Sequence, residues 1–209
     1  MRSIYLVTHP EATHHVEGLV GGWYDSALTA KGERDAVLIA EELRRRIPLE
    51  AEVELYASDL QRTLLTAQII ADRFRLKPIL DPGLREKSYG VAGGKPQAWL
   101  NERFIPPPVQ GERMNHEEGI AGAETMAELA VRVYQALQAI LESECETQIV
   151  VTHGGAISFV LTAWIGMPLE SLGYANFKVA PGSITLLRED DYFHNHQIVS
   201  LGETGHLPK

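Results

Sequence analysis

The stretch TQIVVTHGGAISFVLTAWIG, Thr147 to Gly166, joins an apolar β-branched run to a histidine, two glycines and a second apolar run. The first run reads as a buried strand and the second as a buried helix, with the polar residues His153, Gly154 and Gly155 between them. The N-terminus begins in the same way. RSIYLVT, Arg2 to Thr8, reads as a buried strand, and His9, Pro10, His14 and His15 follow it.

Working outward, Thr29 offers an N-cap for a helix in which Ala36, Ile39, Ala40, Leu43 and Ile47 recur at helical spacing until Pro48 stops the pattern. Glu52 to Ser58 reads as a strand, and Asp59 to Phe74 as a helix with Ser58 as its cap. A short strand over Lys77 to Leu80 precedes the turn residues Asp81, Pro82 and Gly83. Thr125 and Glu128 form a capping box that opens a helix facing the core through Met126, Leu129, Val133, Leu137 and Ile140. SITLLR and HQIVSLG read as a closing hairpin around a turn near Glu189 to Asn195. Alternating strands and helices predict an α/β fold, a mostly parallel sheet with helices on both faces. The chain reads as one domain over 1–209, with an irregular insertion over the sheet at about 88–121.

Composition narrows the function. With 209 residues, 44% hydrophobic and 22% charged, the chain buries a substantial core. No apolar run approaches the roughly 20 residues of a membrane helix, and the N-terminus lacks a secretory pattern, so no membrane association and a cytoplasmic location are expected. One cysteine, Cys145, excludes an internal disulfide and a cysteine-based zinc site. A formal charge of −9 argues against nucleic acid as a partner. Any anionic substrate must therefore find a local positive pocket.

In open α/β sheets ligands bind beyond the carboxyl ends of the strands. Thr8 and His9 fall there after the first strand, Ser58 to Arg62 after the second, Glu86 after the third, and His153 with Gly154 after the fourth. Each residue alone is ordinary: strand-end histidines are usually structural, Arg62 is by default a surface charge and Glu86 a loop acid. Together they can transfer a phosphoryl group. Neutral imidazole attacks phosphorus, cations offset charge on the equatorial oxygens, and a protonated carboxyl group gives its proton to the leaving oxygen.

Six ordered motifs carry a resemblance to the histidine phosphatase, or phosphoglycerate mutase-like, superfamily. LVTHPEA resembles its LVRHGET signature, GWYDSALTAKG its G-x-x-D-x-P-L-T-x-x-G stretch, and SDLQRTLLTA its S-x-L-x-R-x-x-x-T-A. LREKSYG matches L-R-E-x-x-F-G, GAETMAELAVRV resembles the G-E-S segment leading into a helix, and VVTHGG is nearly identical to the second histidine motif. The resemblance implies a three-layer α/β/α sandwich. It makes His9 the nucleophile that becomes phosphohistidine, Arg62 and His153 the clamp on the phosphoryl group, and Glu86 the proton donor and later the base for water.

Thr8 and Pro10 depart from the family's Arg-His-Gly. A charge-assisted hydrogen bond contributes about 1.5 to 3 kcal/mol against roughly 1 for a neutral one. A threonine in the arginine's place is thus expected to lose about ten to thirty fold in transition-state binding. Pro10 has no N–H and restricts His9 to an extended conformation. His15 stands where the family often has a phosphate-donating asparagine, and an imidazole N–H there partly replaces the arginine. His14 is the neighbouring candidate, Arg85, Lys87 and Lys95 more distant ones; the bland alternative is that both histidines are loop residues. The H-x-x-x-x-H-H spacing of His9, His14 and His15 matches no zinc hydrolase pattern, so neither metal nor other cofactor is expected.

The expected activity is a phosphomonoesterase acting on a small phosphorylated metabolite, with Thr8, His15, Gly154, Arg85 and Trp23 as phosphate- or substrate-binding residues. Tyr24, Tyr89, Trp99 and Phe104 join Trp23 as candidates for the mouth. A mutase is less favoured, because mutases of the family tend to carry a longer, more basic insertion. A phosphate-binding or regulatory protein with weakened catalysis is the alternative from another class. A homodimer is left open.

Overall fold

The computed structural model describes residues 1–208. Its strands are β1 (Ser3–Thr8), β2 (Val53–Ala57), β3 (Ile79–Leu80), β4 (Thr147–Thr152), β5 (Ile184–Glu189) and β6 (His196–Glu203). The helices are α1 (Thr13–Glu17), α2 (Ala30–Arg46), α3 (Gln61–Phe74), α4 (Gln97–Asn101), α5 (Met126–Leu141) and α6 (Ala156–Trp164). The sheet order is β3-β2-β4-β1-β5-β6. The strands β1 to β4 run parallel, and β5 and β6 close one side antiparallel.

Strand alternation sorts the side chains into two layers. Ile4 and Leu6 face a core built with α5 and α6, whereas Tyr5 and Val7 face one built with α2 and α3. The chain therefore has the three-layer α/β fold expected. A third, smaller cluster of Val20, Ala92, Leu100 and Ile120 ties the 18–20 loop to the insertion. Among the described residues no helix is long and apolar enough to cross a membrane.

Two local features differ from expectation. The segment after His9 is not simply a loop, because Thr13–Glu17 forms the single helical turn of α1, ended by Gly18 at φ 64°. Ser58 does not cap α3. That helix begins after Leu60, whose side chain caps nothing, and Asp25, distant in sequence, accepts from the Gln61 amide at 2.7 Å. Ser58 Oγ accepts only a long bond from the Leu60 amide at 3.4 Å and has its closer partner at the sheet edge.

The sheet register positions the functional edge. Thr8 pairs with Thr152 across β1 and β4, and the His9 amide donates to the Thr152 carbonyl at 3.1 Å. His9 and His153 therefore leave adjacent strands at the same level. On the other side of β4, the Ser58 amide donates to the Val151 carbonyl at 3.0 Å, bringing Ser58 against His153.

Candidate active site

The strand ends open into a cavity of about 730 Å³ lined by His9, His15, Arg62, Glu86 and Gly154 at its floor. The rings of His9 and His153 lie edge to face with centroids 5.2 Å apart. Nδ1 of His9 lies 2.8 Å from the Pro10 carbonyl oxygen. That oxygen only accepts, so the proton sits on Nδ1 and the lone pair on Nε2. Arg62 Nε donates to this Nε2 at 3.2 Å. Burial first, and the Arg62 cation second, hold the His9 pKa well below its ordinary value. His9 is thus a neutral imidazole at neutral pH, with the Nε2 lone pair engaged by Arg62 and not by a proton.

Arg62 is buried on α3 and donates from Nη1 to the Tyr24 carbonyl at 2.9 Å and from Nη2 to the Gly22 carbonyl at 2.6 Å. Three of its five N–H groups are engaged, which leaves two for a ligand. Among the described residues no carboxylate bonds to it, and burial lowers its pKa to about 10 despite Glu86 and Asp25 nearby. A buried cation without a bonded counter-ion favours an entering anion. His153 adds a second unmet group. Its Nε2 pairs with Ser58 Oγ at 2.9 Å, while its Nδ1 is buried without a partner.

Glu86 is fixed from several sides. Its Oε1 accepts from the Lys87 amide at 2.9 Å and its Oε2 from the Gly155 amide at 2.8 Å. A Cβ at position 155 would stand 2.5 Å from Oε1, so glycine is what lets the turn before α6 approach the acid. Arg132 on α5 donates to the carbonyls of Gly83, Arg85 and Glu86 and to both oxygens of Glu124. Glu124 in turn accepts from the Ser88 amide at 2.7 Å. Arg132 and Glu124 brace the loop that carries Glu86, and no chemistry-bearing pattern pointed to them as a pair. Their signal was only a long-range one: an arginine on the buried side of a helix following the G-A-E-T segment.

His14 and His15 take different tasks. His15 accepts the Ala12 amide at Nδ1, 3.1 Å, so in its neutral form Nε2 carries a proton. Its ring lies nearly parallel to that of His9, with centroids 5.6 Å apart. Burial and Arg62 lower its pKa, which favours the neutral ring over the cation. His14 is buried, bonds Ser26 Oγ through Nδ1 at 2.6 Å and lies against Gly21, where a Cβ would come within 2.8 Å of the ring. Burial, His15 and Arg62 bring its pKa to about 3.

Three expected binding residues are placed otherwise. Thr8 lines the cavity, but its hydroxyl is engaged by the Ala180 carbonyl at 2.8 Å and Ser183 Oγ at 2.8 Å, toward β5. Arg85 is paired with Asp59, Nη2 to Oδ2 at 2.5 Å, and does not line the cavity. Trp23 also lies outside the lining and donates from Nε1 to the Glu86 carbonyl at 2.7 Å, supporting the acid from behind. Of the aromatic residues proposed for the mouth, Tyr89 and Phe104 line the cavity, whereas Tyr24 and Trp99 do not. Among the described residues no group of three or more histidine, cysteine or acidic side chains is arranged to hold a metal ion.

The family model of the histidine phosphatase superfamily (branch 1) matches residues 4–201. The chain is 33% identical to the probable phosphoglycerate mutase GpmB of Yersinia enterocolitica, covering 99% of this chain and 95% of that protein. Its fold is similar to that of Bacillus stearothermophilus YhfR, with a TM-score of 0.77 at 27% identity over 99% of both chains. It is also similar to a mycobacterial glucosyl-3-phosphoglycerate phosphatase in complex with VO3, with a TM-score of 0.78 at 22% identity, covering 98% of this chain and 100% of that one. The chain belongs to the histidine phosphatase superfamily, branch 1.

Proposed function

We propose that the protein is a phosphomonoesterase that hydrolyses a small phosphorylated substrate through a phosphohistidine on His9. The observation that carries the reading is the bond from His9 Nδ1 to the Pro10 carbonyl, which leaves the Nε2 lone pair beside the buried Arg62 cation. In the first step Nε2 forms a bond to phosphorus as the bond to the leaving alkoxide breaks, and Glu86 transfers its proton to that oxygen. In the second step water attacks phosphorus, the N–P bond breaks, Glu86 takes the water's proton, and inorganic phosphate leaves. Arg62, His153 Nδ1 and the His15 Nε2–H hold the three equatorial oxygens, where charge is concentrated.

The test is turnover of p-nitrophenyl phosphate with and without chelator, beside His9→Ala. Turnover abolished by the substitution and indifferent to chelator supports the scheme, whereas turnover lost on chelation contradicts it. A mutase is the second reading, favoured by the name of the relative that is 33% identical over nearly the whole chain. Isomerisation of phosphoglycerates in the presence of a bisphosphorylated primer, faster than release of phosphate, distinguishes it. A protein that binds phosphate without turnover on any monoester is instead a regulatory member of the family.

A further inference from the structure

Behind His9 lies a segment in which no side chain lines the cavity, residues 204–208 after β6. It turns back on itself, the Leu207 amide donating to the Thr204 carbonyl at 2.9 Å, and sends two side chains to one glycine. His206 Nε2 lies 3.0 Å from the Gly182 carbonyl oxygen, which only accepts, so Nε2 carries the proton and donates it. Leu207 packs with the core of α2 and α3 and reaches the same residue. A Cβ at position 182 would stand 2.9 Å from Leu207 Cδ1, 3.5 Å from Pro10 Cβ and 3.7 Å from Ile39 Cδ1. Gly182 also has φ 76°, so its backbone and its surroundings both require glycine.

The amide of Gly182 holds the end of β1. It donates to the His9 carbonyl at 3.1 Å and to the Thr8 carbonyl at 3.2 Å. The main chain of His9 is therefore fixed on both sides, since its own amide donates to the Thr152 carbonyl at 3.1 Å. Its ring is fixed by the next carbonyl, that of Pro10, at 2.8 Å. A shift of Gly182 would move the His9 carbonyl, the Pro10 peptide joined to it and, with them, the imidazole. Pro10 takes part directly through its Cβ, an atom that the family's glycine lacks.

Resting on the reading of His9 as the nucleophile, we propose that His206 and Leu207 are positioning residues for phosphoryl transfer. They hold Gly182, and through it the His9–Pro10 turn, so that Nε2 stays aimed at phosphorus. Misplacing a reacting group by about 1 Å can cost about 10² fold in rate. The groups that bind the phosphoryl oxygens, Arg62 among them, stand on other elements and keep their places. Loss of the support should thus lower kcat and leave KM nearly unchanged.

The experiment measures turnover of p-nitrophenyl phosphate in three variants that are folded by circular dichroism. His206→Phe keeps a ring and removes the donor, His206→Gln restores a side-chain N–H, and Leu207→Ala removes the apolar contact; Leu207→Ala is also made with Pro10→Gly. The tautomer of His9 is read in parallel by NMR of histidine-¹⁵N-labelled protein, from the signals lost in His9→Ala. Expected is a fall in kcat of about tenfold or more in His206→Phe and Leu207→Ala, with KM within about twofold. His206→Gln should recover most of it. The His9 ring should depart from the pure Nδ1–H form in the two impaired variants, and Leu207→Ala should cost less beside Pro10→Gly than in the wild type. Should His206→Phe not fold, Leu207→Ala carries the test. Changed His9 signals in a protein that turns over no monoester leave the positioning assignment standing while the phosphatase reading fails. Unchanged kcat and unchanged His9 signals overturn the assignment. So do losses that are equal in His206→Phe and His206→Gln, or that add independently to Pro10→Gly.

Discussion

Nδ1 of His9 is 2.8 Å from the carbonyl oxygen of Pro10. The proline that replaces the family glycine has no N–H, but the group that fixes the imidazole is a carbonyl, which proline keeps. The departure at position 10 therefore leaves the tautomer of His9 intact. At position 8 the departure removes a charge, and its consequences are distributed over neighbouring residues.

Thr8 is a structural residue in this fold. Its hydroxyl bonds Ala180 and Ser183 and accepts from the Ser183 amide at 3.1 Å. Thr8→Val, similar in shape, leaves those buried groups without a partner and is expected to destabilise the protein by about 1 to 3 kcal/mol. Its effect on phosphate or vanadate affinity should be less than about threefold, below the discrimination of one neutral hydrogen bond. Thermal melts and inhibitor titrations check this; a large loss of affinity with an unchanged melt would return Thr8 to the phosphoryl site.

His15 and His14 should separate under substitution. His15→Ala removes the neutral Nε2 donor and is expected to lower kcat/KM by about tenfold, the value of roughly one hydrogen bond to a charged group, with partial recovery in His15→Asn. His14→Ala instead empties a packed site beside Gly21 and Ser26, so its main effect should be on stability. Steady-state kinetics and melts of the three variants decide it. Equal, small kinetic effects of the two alanines would remove His15 from the phosphoryl-binding set.

Gly155→Ala should act on the acid. The added methyl carbon would stand 2.5 Å from Glu86 Oε1, so the carboxyl group must move. General acid catalysis contributes about 10² to 10⁴ fold, and a displaced acid is expected to lose much of that for alkyl phosphates. The loss should be far smaller for p-nitrophenyl phosphate, whose leaving group needs little protonation. Rates on the two substrate types measure it; an equal loss on both would mean that the substitution disturbs phosphate binding instead.

Acid should destabilise the protein before its carboxylates titrate. His9, His14 and His153 are held neutral chiefly by burial, His14 down to about pH 3. Below pH 6.5 the unfolded chain binds protons at these rings and the folded chain does not, so stability rises with pH. It is fully present above about 6.5 and is lost as pH falls, with a slope approaching about 1.4 kcal/mol per pH unit for each ring. Melting temperatures between pH 7.5 and 4.5 should fall steadily. A flat profile would show that these rings take up protons as readily in the folded chain as in the unfolded one.

The strands were legible because β-branched apolar runs stop at polar turn residues, and the capping box of Thr125 and Glu128 appears as read. The four central residues could be placed at one sheet edge because parallel strands share their carboxyl ends. The short helix α1 was not legible: it is one turn long, and its cap residue Ala12 offers no side-chain acceptor. The partners of Thr8 at Ala180 and Ser183, and the capping of α3 by Asp25, depend on chain segments far apart in sequence. Arg85 and Trp23 were misplaced for the same reason, since Asp59 and the Glu86 carbonyl take up their polar groups.

The most direct test is to quench the protein within milliseconds of mixing with a phosphorus-labelled monoester and to look for label on the chain. Expected is one acid-labile, base-stable phosphoryl group at Nε2 of His9, absent from His9→Ala and accumulating in Glu86→Gln with an activated substrate. Turnover without any such adduct, or an adduct that persists in His9→Ala, would contradict the assignment of His9 as the nucleophile.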